Sequence, residues 1–567
     1  MNFESSFFRR PFIPTQKKYL SAPLGPTDTA GVQANLSKYW PWIGVAIIII
    51  SVATIRIRLL QIPLERDEGE FAYMGQLMLQ GIPPYLLAYN MKLPGIYAAY
   101  ALVMAIFGQT IAGVHLGLMV VNAIAIMLLF LLARRLFDDI AAVVAAASYA
   151  LLSLSPSVLG TSAHATQFIV PLALGGTILL LRALDSGKYK VLFLSGVLYG
   201  LAFLMKQHAV FFSVFAVIFF VWTLVGTRPV DWKRLATGSI LLMIASVIPF
   251  IVTCVVLYVA GVFSTFWFWT VTYGSQYVSE VPLSQAVQRL MMFAPRAIKP
   301  WGWVWAMAGI GLTAIFWNKV VRSKWPFLTG VVLFSFLTIC PGFYFRSHYF
   351  VTLFPAVALL AGVAVSAMGQ FLSDRRMPSV VKMLPGLVMT ASLIGPIILL
   401  SNFFFRSTPG QACRMMYGMN PFPESIEIGE YIRKHSAQED RIAIMGSEPQ
   451  LYFYTNRKSA TGYLYVYGLM EPQNYAHTMQ AEMIREIEET RPKYAVIVDI
   501  PLSWLRRPDS DVTIFKWAEV YFKMKYRIAG FVDIFPGGHS KAYWDDEARR
   551  NRPTSRFNIF VLERKDE

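Results

Sequence analysis

Residues 41–60 read PWIGVAIIIISVATIRIRLL, an apolar run that is about long enough to cross the hydrocarbon core of a bilayer. Similar runs recur along the 567-residue chain, of which 55% is hydrophobic and only 15% is charged. Soluble domains usually carry about 25% charged residues, so this composition excludes a wholly soluble protein. We predict about eleven transmembrane helices, near residues 41–60, 111–133, 139–157, 166–184, 190–206, 209–226, 236–260, 301–318, 326–341, 349–371 and 382–402.

Basic residues mark every second loop between these runs, and that alternation predicts which loops are cytoplasmic. Because the basic residues do not form one block, the net charge of +17 reports topology and no nucleic-acid partner. An odd number of spans then places the C-terminal portion outside the cell, with the spans in the plasma (inner) membrane. The basic loops contain Arg134-Arg135, Lys188 with Lys190, Arg228 with Lys233-Arg234, Lys319 with Arg322 and Lys324, and Arg375-Arg376 with Lys382.

The regions outside the spans complete the predicted domain organisation. Residues 1–39 are polar and basic, which predicts a cytoplasmic arm and no cleaved signal peptide. Residues 94–107 are apolar but too short to span, so we assign them to a juxtamembrane helix. Residues 61–110 then form one long external loop of a transmembrane domain that covers residues 40–405.

Residues 406–567 are predicted to form an extracytoplasmic α/β domain. RIAIMG (441–446) and YAVIVD (494–499) are typical of short buried strands, and FNIFVLER (557–564) of a last strand. An amphipathic helix over residues 474–492 lies between the first two, which indicates a β-α-β arrangement. The domain has no G-x-G-x-x-G or Walker motif, so no nucleotide site is implied. The three cysteines of the chain do not make a disulfide framework.

Ionisable residues collect on the predicted external side of the membrane, which is a functional hint because such groups are costly there unless solvated or paired. Long Lys and Arg side chains can instead be membrane anchors. A carboxylate on a short stem cannot reach far, so Asp67 fits that alternative poorly. A helix N-cap remains a second interpretation of Asp67. The external set is Asp67, Glu68, Glu70, Lys92, His164, Lys206, His208, Arg296, Lys299, Arg346 and His348.

The turn CPGFYFRSHYFVTLFP (340–355) joins two spans on the same external side. Its aromatic residues fit an interfacial belt with an anchoring arginine. We favour a phosphate-binding turn, because Arg346 lies on the side of Asp67 and Lys92 and its guanidinium suits phosphate. His208 is assigned a structural role. Tyr73 is assigned to helix packing, with a substrate contact as the alternative.

The order of these features resembles the first external loop and following spans of the GT-C glycosyltransferases. The branch it is most similar to is the protein O-mannosyltransferase and aminoarabinose-transferase type, glycosyltransferase family 39 and relatives. The resemblance covers roughly residues 40–405. It is carried by Asp67-Glu68 after the first span, Tyr73, Gly81, Lys92-Leu93-Pro94, LARRLFDD at 132–139, and Met205-Lys206-Gln207.

This sequence departs from the family pattern at three places. The family often has Lys-Pro-Pro where this chain has Lys92-Leu93-Pro94, and Lys-Gly where it has Lys206-Gln207. Charged positions after the third span are replaced within GTSAHATQF (160–168), where His164 and Gln167 stand. The contacts that the family makes to the sugar donor through these positions are therefore not expected to be the same in this chain.

The resemblance implies transfer of a sugar, with inversion, from a polyprenyl-phosphate carrier to an acceptor on the outer side. It implies Asp67 as the base that deprotonates or orients the acceptor, with Glu68 as its neighbour and stand-in. Cations would stabilise the leaving phosphate, so no metal is required, although a divalent cation is compatible. The lipid-phosphate candidates are Lys92, Lys206, Arg346 and His348, and the candidate substrate contacts are Tyr73, His164 and Gln167.

Two other classes of function stay open at this stage. A transporter or flippase of lipid-linked sugar precursors would place ionisable groups near the bilayer midplane in repeated halves, and neither feature is visible. A non-catalytic cell-envelope assembly factor is opposed only by the pattern of Asp67, Lys92 and Lys206. The sugar is not readable from the sequence, and the acceptor is a lipid, a glycan or a protein.

The topology predicts where introduced cysteines react. A single cysteine in the 70s or the 340s should react with a membrane-impermeant maleimide on intact cells, because both regions are predicted to face outwards. A cysteine near residue 322 should react only after the membrane is permeabilised. The opposite labelling pattern would contradict the assigned side of the membrane.

Overall fold

A computed structural model describes residues 29–565 of the chain. Residues 1–28 of the predicted cytoplasmic arm lie outside the described residues, and residues 29–39 belong to the first helix. The helices before the C-terminal domain are α1 Thr29–Arg58, α2 Arg66–Leu79, α3 Gly95–Phe107, α4 Ile111–Leu136, α5 Asp139–Leu152, α6 Ala165–Ser186, α7 Tyr189–Met205, α8 Val210–Val225, α9 Trp232–Val259, α10 Phe263–Trp267, α11 Gly274–Ser279, α12 Leu283–Ile298, α13 Gly302–Trp317, α14 Lys319–Ser323, α15 Trp325–Leu337, α16 Phe354–Asp374 and α17 Ser379–Leu399.

Every predicted span coincides with a helix, although the helices differ in length. Four predicted spans fall on the shorter helices α5, α7, α13 and α15, so the number of crossings stays a prediction. The apolar segment after residue 94 forms the 13-residue helix α3. Within residues 29–565, seven segments are long and apolar enough to cross a membrane: Lys38–Arg58, Ile111–Leu136, Ala165–Ser186, Gln207–Val225, Trp232–Val259, Phe354–Asp374 and Ser379–Leu399.

Small residues let the membrane helices approach closely, which is the usual way such helices associate without a hydrophobic driving force. Gly196 and Gly200 lie one turn apart on α7 and face α9. A Cβ atom at Gly196 would lie 2.5 Å from the Cβ of Ala245, and one at Gly200 would lie 2.3 Å from the carbonyl oxygen of Ser246. The tight packing of α7 on α9 therefore depends on these two glycines.

The C-terminal region contains a mixed six-stranded sheet with the order β2-β1-β3-β6-β4-β5. Strand β1 pairs in parallel with β2 and β3, and β6 runs antiparallel to both β3 and β4. The three predicted strands are β1, β3 and β6; the hairpin of β4 and β5 was not predicted. The elements are α18 Pro409–Tyr417, α19 Phe422–Lys434, β1 Arg441–Met445, α20 Gln450–Thr455, β2 Lys458–Ser459, α21 Tyr467–Met470, α22 Ala476–Thr490, β3 Tyr494–Asp499, α23 Pro501–Trp504, α24 Thr513–Lys525, β4 Tyr526–Ile534, β5 Ser540–Trp544, α25 Asp545–Arg550 and β6 Phe557–Arg564.

The C-terminal domain packs directly on the loop that follows α1. Gly69 of α2 touches the start of α20, where a Cβ atom would lie 2.5 Å from the backbone nitrogen of Gln450. Tyr73 stacks on Tyr452, with ring centroids 5.1 Å apart, and its hydroxyl accepts a hydrogen bond from the Ser459 amide. These contacts fix α2, and the charged residues in its first turn, against the sheet domain.

Candidate active site

A cavity of about 740 Å³ lies between the loop of residues 61–110, the ends of several membrane helices and the C-terminal domain. Five of the predicted site residues line it, from four separate parts of the chain: Asp67, Lys92, Lys206, Arg346 and His348. The fold therefore brings together one carboxylate and most of the cations that the sequence selected.

Helix α2 presents Asp67 to this cavity because another residue caps the helix. Glu65 is the N-cap: its carboxylate accepts from the Glu68 amide at 3.0 Å, and the Glu68 carboxylate accepts from the Glu65 amide at 3.3 Å. Asp67, in the first turn, takes no part in this capping box, so the interpretation of Asp67 as the cap is wrong. Its side chain remains 23% exposed.

Lys92 joins two carboxylates at the wall of the cavity. Its Nζ lies 2.8 Å from Oδ1 of Asp67 and 2.5 Å from Oε2 of Glu70. The Tyr97 hydroxyl donates to the other oxygen of Glu70 at 2.9 Å. Two anions around one cation mean that the charge of Lys92 is already balanced in this arrangement.

The protonation states of this cluster follow from burial and from these contacts. Burial alone would raise the pKa of Asp67, but Lys92, His164 and His348 hold it well below its usual value. For Glu70 burial prevails over Lys92 and raises the pKa to about 7. Burial would lower the pKa of Lys92, and the two carboxylates raise it above its usual value. Asp67 is therefore an ionised carboxylate at neutral pH.

Glu68 does not face the cavity, although the sequence assigned it as a stand-in for Asp67. It is fully buried, and its Oε1 accepts from the Ala163 amide at 2.6 Å and lies 3.0 Å from Nε2 of His115. With Oε2 engaged in the capping box, neither oxygen is available to a substrate. We reassign Glu68 to holding α2 against the loop before α6.

His164 and His348 stack face to face beside Asp67, with ring centroids 4.1 Å apart and an interplanar angle of 8°. Nδ1 of His164 lies 3.6 Å from Oδ2 of Asp67, and neither ring nitrogen of His164 has a hydrogen-bond partner among the described residues. The three side chains each bring one donor atom to within 4.8 Å of the others. A divalent cation bound by this set would require one ring to turn, so that both imidazoles direct in-plane lone pairs at it.

Lys206 and Arg346 are cations of the cavity that form no ion pair with a carboxylate among the described residues. Among the described residues, none of the carboxylates lies within 4.0 Å of either side chain. Nζ of Lys206 lies 3.7 Å from the ring centroid of Tyr349, and Arg346 donates to the Tyr277 hydroxyl at 3.2 Å. Burial lowers the pKa of Lys206 to about 7, with Lys92 and Arg346 adding to that effect against Asp67.

None of the three predicted substrate contacts, Tyr73, His164 and Gln167, lines the cavity, although His164 lies beside Asp67. Tyr73 is buried against the C-terminal domain, which agrees with its assignment to packing. Gln167 is buried too, and its amide donates to the Ser153 carbonyl at 3.4 Å. Neither side chain lines the cavity, so the structure gives no support for these two contacts.

Sequence reasoning missed Glu70 as the second partner of Lys92 and Tyr465 as a partner of Asp67. Glu70 lies three residues after Asp67 on α2, and that i,i+3 spacing is a signal that both carboxylates share one helix face. Tyr465 donates to Oδ1 of Asp67 at 2.7 Å from 398 residues along the chain. No local pattern reveals a contact across that separation.

The sequence resembles known glycosyltransferases over part of its length. The family described as dolichyl-phosphate-mannose-protein mannosyltransferase matches residues 92–253. Two curated relatives are the undecaprenyl phosphate-alpha-4-amino-4-deoxy-L-arabinose arabinosyl transferases of Pseudomonas aeruginosa strains UCBPP-PA14 and PAO1. Each is 33% identical over 150 residues, which is 24% of this chain. The match spans about a quarter (26%) of each curated relative's own length.

Solved structures resemble the chain over nearly its whole length. ArnT from Cupriavidus metallidurans bound to undecaprenyl phosphate aligns with a TM-score of 0.55 and 15% identity, covering 91% of this chain and 97% of that one. AglB from Archaeoglobus fulgidus, an oligosaccharyltransferase in complex with an inhibitory peptide and a dolichol-phosphate, aligns with a TM-score of 0.53 and 14% identity. That alignment covers 94% of this chain and 77% of AglB. The chain therefore has the fold of the GT-C membrane glycosyltransferases and resembles their protein O-mannosyltransferase and aminoarabinose-transferase branch, as the sequence predicted.

Proposed function

We propose that the protein transfers a sugar from a polyprenyl-phosphate carrier to an acceptor on the extracytoplasmic side of the inner membrane. The observation that carries the proposal is one cavity holding an ionised Asp67 together with Lys206 and Arg346, which form no ion pair with a carboxylate among the described residues. The relatives support the class of donor, since ArnT and AglB were each solved with a polyprenyl or dolichol phosphate. The N-terminus would then be cytoplasmic and the C-terminal domain extracytoplasmic.

The reaction is a single displacement at the anomeric carbon. The acceptor oxygen forms the new glycosidic bond while the bond from the anomeric carbon to the phosphate oxygen breaks, so the configuration inverts. The proton of the acceptor hydroxyl passes to Asp67, and the electron pair of the broken bond stays on the lipid phosphate. Because the pKa of Asp67 is held low, its carboxylate orients the hydroxyl first and takes the proton late, as the new bond forms.

We assign the leaving phosphate to Lys206 and Arg346 ahead of Lys92. An anion gains most from cations that have no other partner, whereas Lys92 already balances Asp67 and Glu70. The ring of His348 lies beside Lys206 and His164, and burial followed by these two cationic neighbours holds its pKa well below the usual value. His348 is therefore neutral and adds an N–H donor, not a charge, to this anion site.

The same geometry favours an enzyme over a transporter. Asp67, Lys206 and Arg346 gather at one cavity beside the C-terminal domain, whereas a transporter of charged lipids needs its ionisable groups near the bilayer midplane. The charge of the leaving phosphate is met by side chains, so no step depends on a metal. The acceptor and the identity of the sugar stay open.

The first test is substitution of the proposed base. Purified protein is incubated with a panel of polyprenyl-phosphate sugars and an extract of envelope lipids and glycans, and sugar transfer is measured. Asp67→Asn should abolish transfer while the protein still expresses and folds, because the amide cannot accept the acceptor proton. Asp546→Asn, at a carboxylate exposed on the C-terminal domain, is the matched control and should transfer normally. Full activity of Asp67→Asn would contradict the assignment of Asp67.

The second test uses the pH dependence of donor binding. The Lys206 ammonium is present below its pKa of about 7 and is lost above it, so the donor KM should rise between pH 7 and pH 9. Lys206→Arg keeps the charge throughout this range and should flatten that rise. Lys206→Ala should lower kcat by roughly 100- to 1,000-fold, as for loss of one donor to a developing anion. An unchanged pH dependence in Lys206→Arg would exclude Lys206 from the phosphate site.

A further inference from the structure

One segment of the C-terminal domain, residues 461–467 (TGYLYVY), reaches the cavity that the membrane helices form. We call it the tyrosine segment. It follows β2 and ends at the start of α21, and the side chains of Tyr463, Tyr465 and Tyr467 line the cavity. The cavity is therefore incomplete without the C-terminal domain.

The tyrosine segment is held in one conformation by its own domain. The Gly462 amide donates to Oε2 of Glu486 at 3.0 Å, and the Tyr463 hydroxyl donates to Oε2 of Glu482 at 2.6 Å. Both glutamates lie on α22. The Val466 amide donates to the Ser447 hydroxyl at 3.1 Å. With bonds on both sides of it, Tyr465 has little freedom to move its backbone.

The same segment is joined to the loop that carries Lys92. The Tyr89 amide donates to the Gly462 carbonyl at 2.7 Å, forming an isolated parallel bridge between the two chain segments. A Cβ atom at residue 462 would lie 2.1 Å from the Tyr89 ring, so only glycine allows this approach. The position of Tyr465 relative to the first external loop is thus built into the fold.

Tyr465 touches both members of the central ion pair. Its hydroxyl donates to Oδ1 of Asp67 at 2.7 Å, and Nζ of Lys92 lies 4.9 Å from its ring centroid. Oδ1 of Asp67 thus receives two donors, from Tyr465 and Lys92. Oδ2 lies 3.6 Å from Nδ1 of His164, which is beyond hydrogen-bonding distance, and it accepts no hydrogen bond from the described residues. One oxygen is fixed and the other is left open.

We propose that Tyr465 is a positioning residue by which the C-terminal domain completes the active site, holding Oδ1 of Asp67 so that Oδ2 meets the acceptor hydroxyl. This inference rests on the proposed function for the reaction, but the contact itself does not depend on it. Arg66 supports the same arrangement from the preceding residue: its Nη2 lies 2.6 Å from Oε1 of Glu448, and its Nε donates to the Ser447 carbonyl at 2.6 Å. The C-terminal domain grips residues 66 and 67 together.

The experiment compares two tyrosine-to-phenylalanine variants of the full chain. Tyr465→Phe removes only the hydroxyl that reaches Asp67. Tyr454→Phe is the matched control, because its hydroxyl also joins the C-terminal domain to the first external loop, accepting from the Leu64 amide at 2.9 Å, but lies outside the cavity. Transfer is measured with the polyprenyl-phosphate sugar that the unaltered chain uses.

Tyr465→Phe should lower kcat about ten-fold or more with little change in the donor KM, since a hydrogen bond to a charged group is lost. The acidic limb of its pH–rate profile should move to higher pH, because a donor to the carboxylate favours the ionised form. Tyr454→Phe should show neither change. Equal rates and pH profiles for Tyr465→Phe, Tyr454→Phe and the unaltered chain would overturn the positioning role.

A second measurement is independent of activity. Apparent thermal midpoints are compared for the unaltered chain, Tyr465→Phe, Asp67→Ala and the double variant. Tyr465→Phe should shift the midpoint less in the Asp67→Ala background, because its partner is already gone. Equal shifts in both backgrounds would overturn the contact. If the unaltered chain transfers no sugar, the proposed function is wrong. The comparison of the four thermal midpoints, a double-mutant cycle, still decides whether Tyr465 contacts Asp67.

Discussion

The arrangement depends on one ammonium group shared by two carboxylates. Lys92 meets Asp67 at 2.8 Å and Glu70 at 2.5 Å, where each charge alone would be costly to bury. Burial raises the pKa of Glu70 to about 7, so the cluster can lose one negative charge by protonation while Asp67 stays ionised. Asp67 can therefore stay ionised beside the membrane, because the ammonium group of Lys92 balances its charge.

That balance separates the cations of the cavity into two kinds. Lys92 serves the carboxylates, whereas Lys206 and Arg346 have aromatic neighbours and no carboxylate within ion-pair distance among the described residues. An anionic ligand binds favourably at Lys206 and Arg346, because it supplies a negative charge beside two cations that have no ion-pair partner among the described residues. The proposed base and the proposed anion site therefore share one cavity while remaining electrostatically distinct, as the proposed displacement from a phosphate requires.

The helices could be predicted from the sequence because each apolar run is long enough to indicate a membrane helix without any information about the segments that pack against it. Most of the charged residues at the site could also be identified from the sequence, because an ionisable residue at the edge of an apolar span is unusual whatever the tertiary structure. The errors concerned the direction in which each side chain points and the contacts between residues distant in sequence. Glu65, Asp67 and Glu68 lie within four residues, and only the helix phase decides that Glu65 caps, Glu68 faces the interior and Asp67 faces the cavity. Tyr465 and the β4–β5 hairpin depend on tertiary contacts that no local pattern encodes.

A structure of the protein with undecaprenyl phosphate would show directly whether Lys206 and Arg346 form the proposed anion site beside Asp67. We expect density for the lipid phosphate within hydrogen-bonding distance of both side chains, with the polyprenyl chain leaving the cavity between membrane helices. The Lys92 contact to Asp67 should persist in that complex. Phosphate density remote from Lys206 and Arg346, or only at the opposite ends of the membrane helices, would exclude this anion site.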